Sequence, residues 1–281
     1  MHTLTIIYFF NLRSIKLCGP YYDEVATLRE MLPIPIFTYS CLSSLSANGG
    51  APGSRLKILR LYNIDLQHEW IDVTSVTEKI SAYLTVCPSL VEIKIVNTGV
   101  HISRILESVS RYCRLLERFI FENGGGSLDL LEASVCKEFV FNCPKITTLA
   151  LQGREVFPSE AFELVKGFHE LKYVDFSGCY SLTGAFLENL ATKGGANSLE
   201  VMILRGCNLD RVEFKKLMKA LLEGKFSRLR HLDISYSKCL YKDHRDHCYD
   251  ISFISIEKLM KQRPNFCLET LYKKSYSDTS S

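Results

Sequence analysis

The stretch CLYKDHRDHC (239–248) gathers the side chains best suited to chemistry, with Cys239, His244, His247 and Cys248 close together. Thiolate and imidazole ligate zinc, but structural zinc sites place paired ligands at defined spacings on tight loops. His244-x-x-His247 beside Cys248 meets that rule only loosely, and the charges around it suit a strand-to-helix loop. The stretch ENGGGS (122–127) has three consecutive glycines but no Gly-Lys-Ser/Thr beside them, so it reads as a turn and not as a phosphate loop. No serine lies in a Gly-x-Ser-x-Gly frame. Asp175 and Asp233 recur at one position of a repeat and do not form a convergent acid/base pair. The residues therefore imply no catalytic centre, no metal and no cofactor, and a non-enzymatic protein is expected.

Composition supports a folded chain of ordinary kind. Of 281 residues, 47% are apolar and 23% charged, which argues against disorder. A net charge of +3 is too small to imply a nucleic-acid or membrane partner. The opening MHTLTIIYFF has a short apolar run from Leu4 to Phe10, with no basic residue before it and no A-x-A site after it. A secretory signal is not expected, and no apolar stretch approaches the roughly 18–20 residues that cross a bilayer. The eleven cysteines are odd in number and show no pairing framework, which fits reduced thiols in the cytoplasm or nucleus. Cys87, Cys143, Cys179 and Cys207 are expected to be buried free thiols that pack as small apolar residues.

The elements that would position any site come from a repeat. The template apolar-x-x-apolar-x-apolar matches LRSIKL from Leu12, LKILRL from Leu56, LVEIKI from Leu90 and LERFIF from Leu116. It matches again at ITTLAL from Ile146, LKYVDF from Leu171, LEVMIL from Leu199 and LRHLDI from Leu229. A small or turn residue follows seven positions in at Asn63, Asn97, Asn123, Gly153, Gly178 and Gly206. Between the matches, segments such as HISRILESVSRYC (101–113) and DRVEFKKLMKALLEG (210–224) have apolar residues at helical spacing. Short strands returned to the same end by helices pair in parallel and stack as a solenoid, with strands inside the curve and helices outside.

From residue 12 to about 240 this pattern resembles the leucine-rich repeats. LKYVDFSGCYSLT and LEVMILRGCNLD resemble the cysteine-containing repeats of F-box and related ubiquitin-ligase substrate receptors. VCPSLVEI and NCPKITTL share that family's Cys-Pro at the helix end, where Pro88 and Pro144 cannot continue the helix and push Cys87 and Cys143 into extended backbone. The ending DISYSK…IEKLMKQRPNFCL is similar to plant BTB/POZ-type leucine-rich-repeat proteins. The resemblance implies an α/β horseshoe with a parallel sheet on the concave face and helices on the convex face. It also implies a substrate receptor or adaptor of a cullin-RING, SCF-type ubiquitin ligase. Nothing at the N-terminus reads as an F-box or a BTB fold, and the chain starts almost inside a repeat. A ligase adaptor would therefore be engaged through a domain missing from this chain. A free-standing binding or inhibitor scaffold without a ligase is the alternative.

Residues 1–248 are expected to form the solenoid, with a Ser/Gly/Pro-rich surface loop near 38–54, and 249–281 a capping helix and disordered tail. FCLETL (266–271) fits a last short strand or an edge cover. Within each strand the apolar template residues face the helices and those between them face the concave surface. That assigns Arg60, Tyr62, Lys94, Arg118, Tyr173, Asp175, Arg205, His231 and Asp233 to an exposed protein-binding ladder, together with Glu92, Glu122 and Gln152. Such a face holds a protein substrate, and no nucleic acid or membrane.

Overall fold

The computed structural model describes residues 13–18, 55–62, 73–122, 130–240 and 255–271. These fall into two units divided between Leu149 and Ala150. The expected loop at 38–54, the turn residues Asn63 and Asn123, the glycines of ENGGGS, His244, His247, Cys248 and the tail from 272 lie outside the described residues.

In the first unit, the template stretches form β1 (Ser14–Cys18), β2 (Ile58–Tyr62), β3 (Glu92–Val96) and β4 (Arg118–Glu122). They pair in sequence order, all parallel, with Ile58 opposite Glu92 and Glu92 opposite Arg118. Helices α1 (Val73–Thr85), α2 (Ile102–Tyr112) and α3 (Ala133–Asn142) alternate with them. The alternate strand residues Leu59, Leu61, Ile93, Ile95, Phe119 and Phe121 are fully buried, as are Ile80, Ile105, Leu106, Val109 and Phe139 on the helices. The Phe119 and Phe139 rings meet edge to face at 5.6 Å.

Strand β5 (Thr148–Gln152) carries the chain into the second unit. There β6 (Tyr173–Asp175), β7 (Val201–Ile203), β8 (His231–Asp233) and β9 (Cys267–Glu269) pair in parallel, again in sequence order. Their helices are α4 (Pro158–Gly167), α5 (Ala185–Lys193), α6 (Arg211–Leu222) and the short α7 (Ile256–Gln262). Val174, Phe176, Met202, Leu204, Leu232 and Ile234 form the strand side of the core. All eight template matches thus become strands, each unit has the leucine-rich-repeat architecture, and FCLETL supplies a further paired strand. Asp210 caps the start of α6, its carboxylate accepting from the Val212 and Glu213 N–H groups at 2.7 and 3.3 Å. Among the described residues, no helix is long and apolar enough to cross a membrane.

Two local features recur from repeat to repeat. The residue seven positions into each repeat has positive φ at Asn97, Gly153, Gly178 and Gly206, and also at Tyr236, where φ is 60°. Each of these N–H groups donates to a carbonyl of the following repeat at 2.7–2.8 Å, for example Gly178 to Arg205 and Tyr236 to Leu271. The left-handed turn aims that N–H across the strands, so the repeat keeps it even where the residue is tyrosine. The second feature corrects an expectation. Cys143 has φ −120°, ψ 57°, and Cys113, which is followed by Arg114, has φ −114°, ψ 53°. The bend after the helix is therefore a property of the repeat and does not need the proline.

The thiols do more than fill space. Cys87, Cys113, Cys136, Cys143, Cys179, Cys207 and Cys239 are buried thiols outside any disulfide. Cys179 Sγ donates to the Leu151 carbonyl at 3.0 Å and Cys207 Sγ to the Phe176 carbonyl at 3.1 Å. In the next repeat the hydroxyl of Ser237 takes the same role, donating to Leu204 at 2.7 Å. Each group satisfies a carbonyl at a strand end. Burial pushes the thiol of Cys87 up to about 11 and those of Cys143 and Cys179 to about 12. All three stay protonated at neutral pH, and the thiolate is the reactive form. Native alkylation followed by peptide mass mapping should label exposed Cys267 and spare Cys87, Cys143, Cys179 and Cys207 until denaturant is added. Labelling of those four in the native protein would contradict the packing.

Candidate binding faces of the strands

The alternation that buries every second strand residue turns the others to the opposite sheet face. Successive parallel strands lie about 4.8 Å apart, so these side chains are close enough to pair across repeats. Each unit presents its own set.

In the first unit the set is basic and aromatic. Lys16 of β1 and Lys94 of β3 stand over the Tyr62 ring, with Nζ 5.1 and 5.7 Å from its centre. Both distances are within the range of a cation–π contact. Glu92 lies between Arg60 and Arg118, with a carboxylate oxygen 2.6 Å from Arg60 Nε and the other 3.5 Å from Arg118 Nε. This pairing raises the Arg60 guanidinium, through its hydrogen bond to Glu92. Glu92 is buried although alternation assigns it to the open face, because two longer arginine side chains cover it. Arg118 stays exposed, and Arg60, Tyr62 and Lys94 are half-buried. Four cations against Glu92 and Glu122 leave this face positive.

In the second unit the set is organised by two carboxylates. Asp175 Oδ1 accepts from the Ser177 N–H at 2.9 Å and the Ser177 hydroxyl at 2.6 Å. Its Oδ2 accepts from Gln152 Nε2 at 2.6 Å and the Tyr173 hydroxyl at 3.3 Å. Asp233 repeats the first contact, accepting from the Ser235 N–H at 2.8 Å, and takes Nε and a terminal nitrogen of Arg205 at 3.0 and 2.8 Å. Both expected-exposed aspartates are buried, at 5% and 2% exposure. The correction has one cause: each carboxylate folds back onto the N–H two residues ahead, an Asx turn, and is then roofed by longer neighbours. Tyr173 is half-buried; desolvation, then the Asp175 charge, pushes its hydroxyl up to about 12. Arg205 is exposed, and its guanidinium is raised by its hydrogen bond to Asp233. His231 is half-buried beside Glu269 of β9.

The structure thus sorts the expected ladder. Arg60, Tyr62, Lys94 and Arg118 come together on one face, and Tyr173, Arg205 and His231 on the other. Asp175 and Asp233 serve beneath the latter as struts that hold neighbouring donors. Sequence reasoning missed Lys16, Cys267 and Glu269 as members. The apolar alternation of FCLETL, with Phe266 and Leu268 as the inward residues, was the signal for the last two.

No family model matches the chain. It is 32% identical over 256 residues to F-box protein SKIP17 of Arabidopsis thaliana, across 90% of this chain and 51% of that protein. It is also 32% identical over 272 residues to F-box protein At4g02760 of Arabidopsis thaliana, across 96% of this chain and 50% of that protein. The chain spans about half the length of either relative. Its fold is similar to a chain in the crystal structure of the yeast Rad7 and Elc1 complex, with a TM-score of 0.52 and 16% identity. That likeness covers 96% of this chain and 66% of the other. The chain is therefore similar in sequence to F-box proteins over about half of their length, and its repeats have the fold described above.

Proposed function

We propose that this chain is a non-enzymatic protein-recognition module acting as substrate receptor or adaptor of a cullin-RING ubiquitin ligase. The observation that carries this reading is the 32% identity to two F-box proteins over nine-tenths of the chain or more. The repeat architecture supports it, since stacked parallel strands display side chains in rows on which a protein partner can lie. The mechanism is positioning. A substrate held on the strand faces is presented to another subunit, which transfers ubiquitin, and no residue of this chain takes part in the chemistry. The protein would work in the cytoplasm or nucleus.

The exposed Arg118 and Arg205 and the half-buried Tyr173 are the proposed anchors, because interface energy concentrates in a few Tyr, Trp and Arg side chains. The mainly basic first face suits an acidic partner surface.

The test is protein turnover. Partners captured by the protein in cells should be ubiquitinated, and depleting the protein should lengthen their half-lives. Captured partners with unchanged ubiquitination and half-life would replace this reading with that of a binding or inhibitor scaffold.

A further inference from the structure

At the β8–β9 edge of the second unit three potential ligands converge. His231 of β8 and Cys267 of β9 are register partners, and Glu269 lies two residues beyond Cys267 on the same face. One ligand atom from each of the three lies within 4.8 Å of the other two. Among the described residues this is the group of this kind. We propose that His231, Cys267 and Glu269 form a binding site for a thiophilic divalent cation of the zinc type, with its fourth position open.

Three observations carry the assignment. The donor set of one imidazole, one thiolate and one carboxylate suits zinc, whereas calcium and magnesium prefer oxygen alone. Its two negative charges neutralise the ion. Second, His231 Nε2 lies 3.0 Å from Glu269 Oε1, yet it is shielded from solvent and makes no hydrogen bond of acceptable geometry. A buried imidazole nitrogen in that state is costly unless something accepts its lone pair or its proton, and a metal ion does the former. Third, the two oxygens of Glu269 are divided. Oε1 faces His231, while Oε2 lies 3.7 Å from Arg205, whose shorter contacts hold Asp233. Arg205 thereby orients the carboxylate from outside, as the partners of metal ligands commonly do. Bonds of about 2.0–2.3 Å in a tetrahedral zinc site place ligands roughly 3.5 Å apart. Small side-chain rotations therefore close the group without moving the strands. Cys267 is exposed, so the fourth position is accessible to water or to a side chain of a bound protein.

The experiment is metal content of the purified protein after incubation with zinc and removal of the excess. About one equivalent should remain on the parent. Cys267→Ser and His231→Ala should lose it, and Glu269→Gln should bind roughly 10- to 100-fold more weakly or worse. Cobalt substituted for zinc should give a thiolate-to-cobalt absorption that Cys267→Ser abolishes. Circular dichroism verifies that the variants are folded, as expected for positions at the sheet surface. His244→Ala combined with His247→Ala should retain the ion. A parent that retains no metal, or a Cys267→Ser variant that keeps both the ion and the cobalt band, overturns the proposal. So does loss of the ion from the His244/His247 double variant alone.

Discussion

Phe176→Ala should lower the unfolding free energy by about 3–5 kcal/mol, the range for removing a fully buried phenylalanine. Phe176 has no exposed surface, and its ring meets Phe186 of α5 edge to face at 6.3 Å. Deleting it opens a cavity between strand and helix that the neighbouring repeats, tied by their own hydrogen bonds, cannot fill by collapse. Its N–H to the Ile203 carbonyl and its carbonyl to Cys207 Sγ remain in the variant, so the loss reports packing and not strand pairing. Chemical denaturation of parent and variant measures it. A loss below about 1 kcal/mol would mean that Phe176 does not lie in the core.

Asp175→Ala is the second large effect, and it separates two readings of the same residue. As a solvent-facing ladder residue it would change stability by less than about 0.5 kcal/mol. As the buried acceptor of Ser177, Gln152 and Tyr173 it should cost about 1.5–3 kcal/mol, the range for hydrogen bonds to a charged group. The Ser177 N–H loses its acceptor in the variant, which is why the higher range applies. Asp175→Asn retains a carbonyl oxygen for the Ser177 N–H and should recover part of the loss. An alanine variant as stable as the parent would return Asp175 to the exposed face.

These two residues also show how far the sequence could be read. The direction of a strand side chain follows from alternation alone, and Phe176 and Asp175 do point to opposite faces. Burial does not follow from alternation. Asp175, Asp233 and Glu92 face outward and are nevertheless covered, because hydrogen-bonded turns and long arginine neighbours determine exposure on a sheet surface. The Asp-x-Ser spacing in DFS and DIS carries the turn, but it names neither Gln152 nor Arg205 as the roof. The left-handed turn was legible as Gly or Asn in repeats that have them, and hidden at Tyr236, where hydrogen bonding across strands overrides residue preference. The grouping of His231 with Cys267 was hidden for another reason. Thirty-six positions separate them, and only the register of β8 with β9 brings them together.

In the proposed function the strand faces recognise a protein partner. Affinity capture from cells tests it most directly, comparing the parent with Arg118→Ala, Tyr173→Ala, Arg205→Ala and the helix-face variant Lys215→Ala, each verified as folded. A partner held by the parent and by Lys215→Ala should be weakened on one or more strand-face variants by about 1–2 kcal/mol, roughly 5- to 30-fold in affinity. A partner that binds all three strand-face variants like the parent, and is lost on Lys215→Ala, would contradict it and place recognition on the helices.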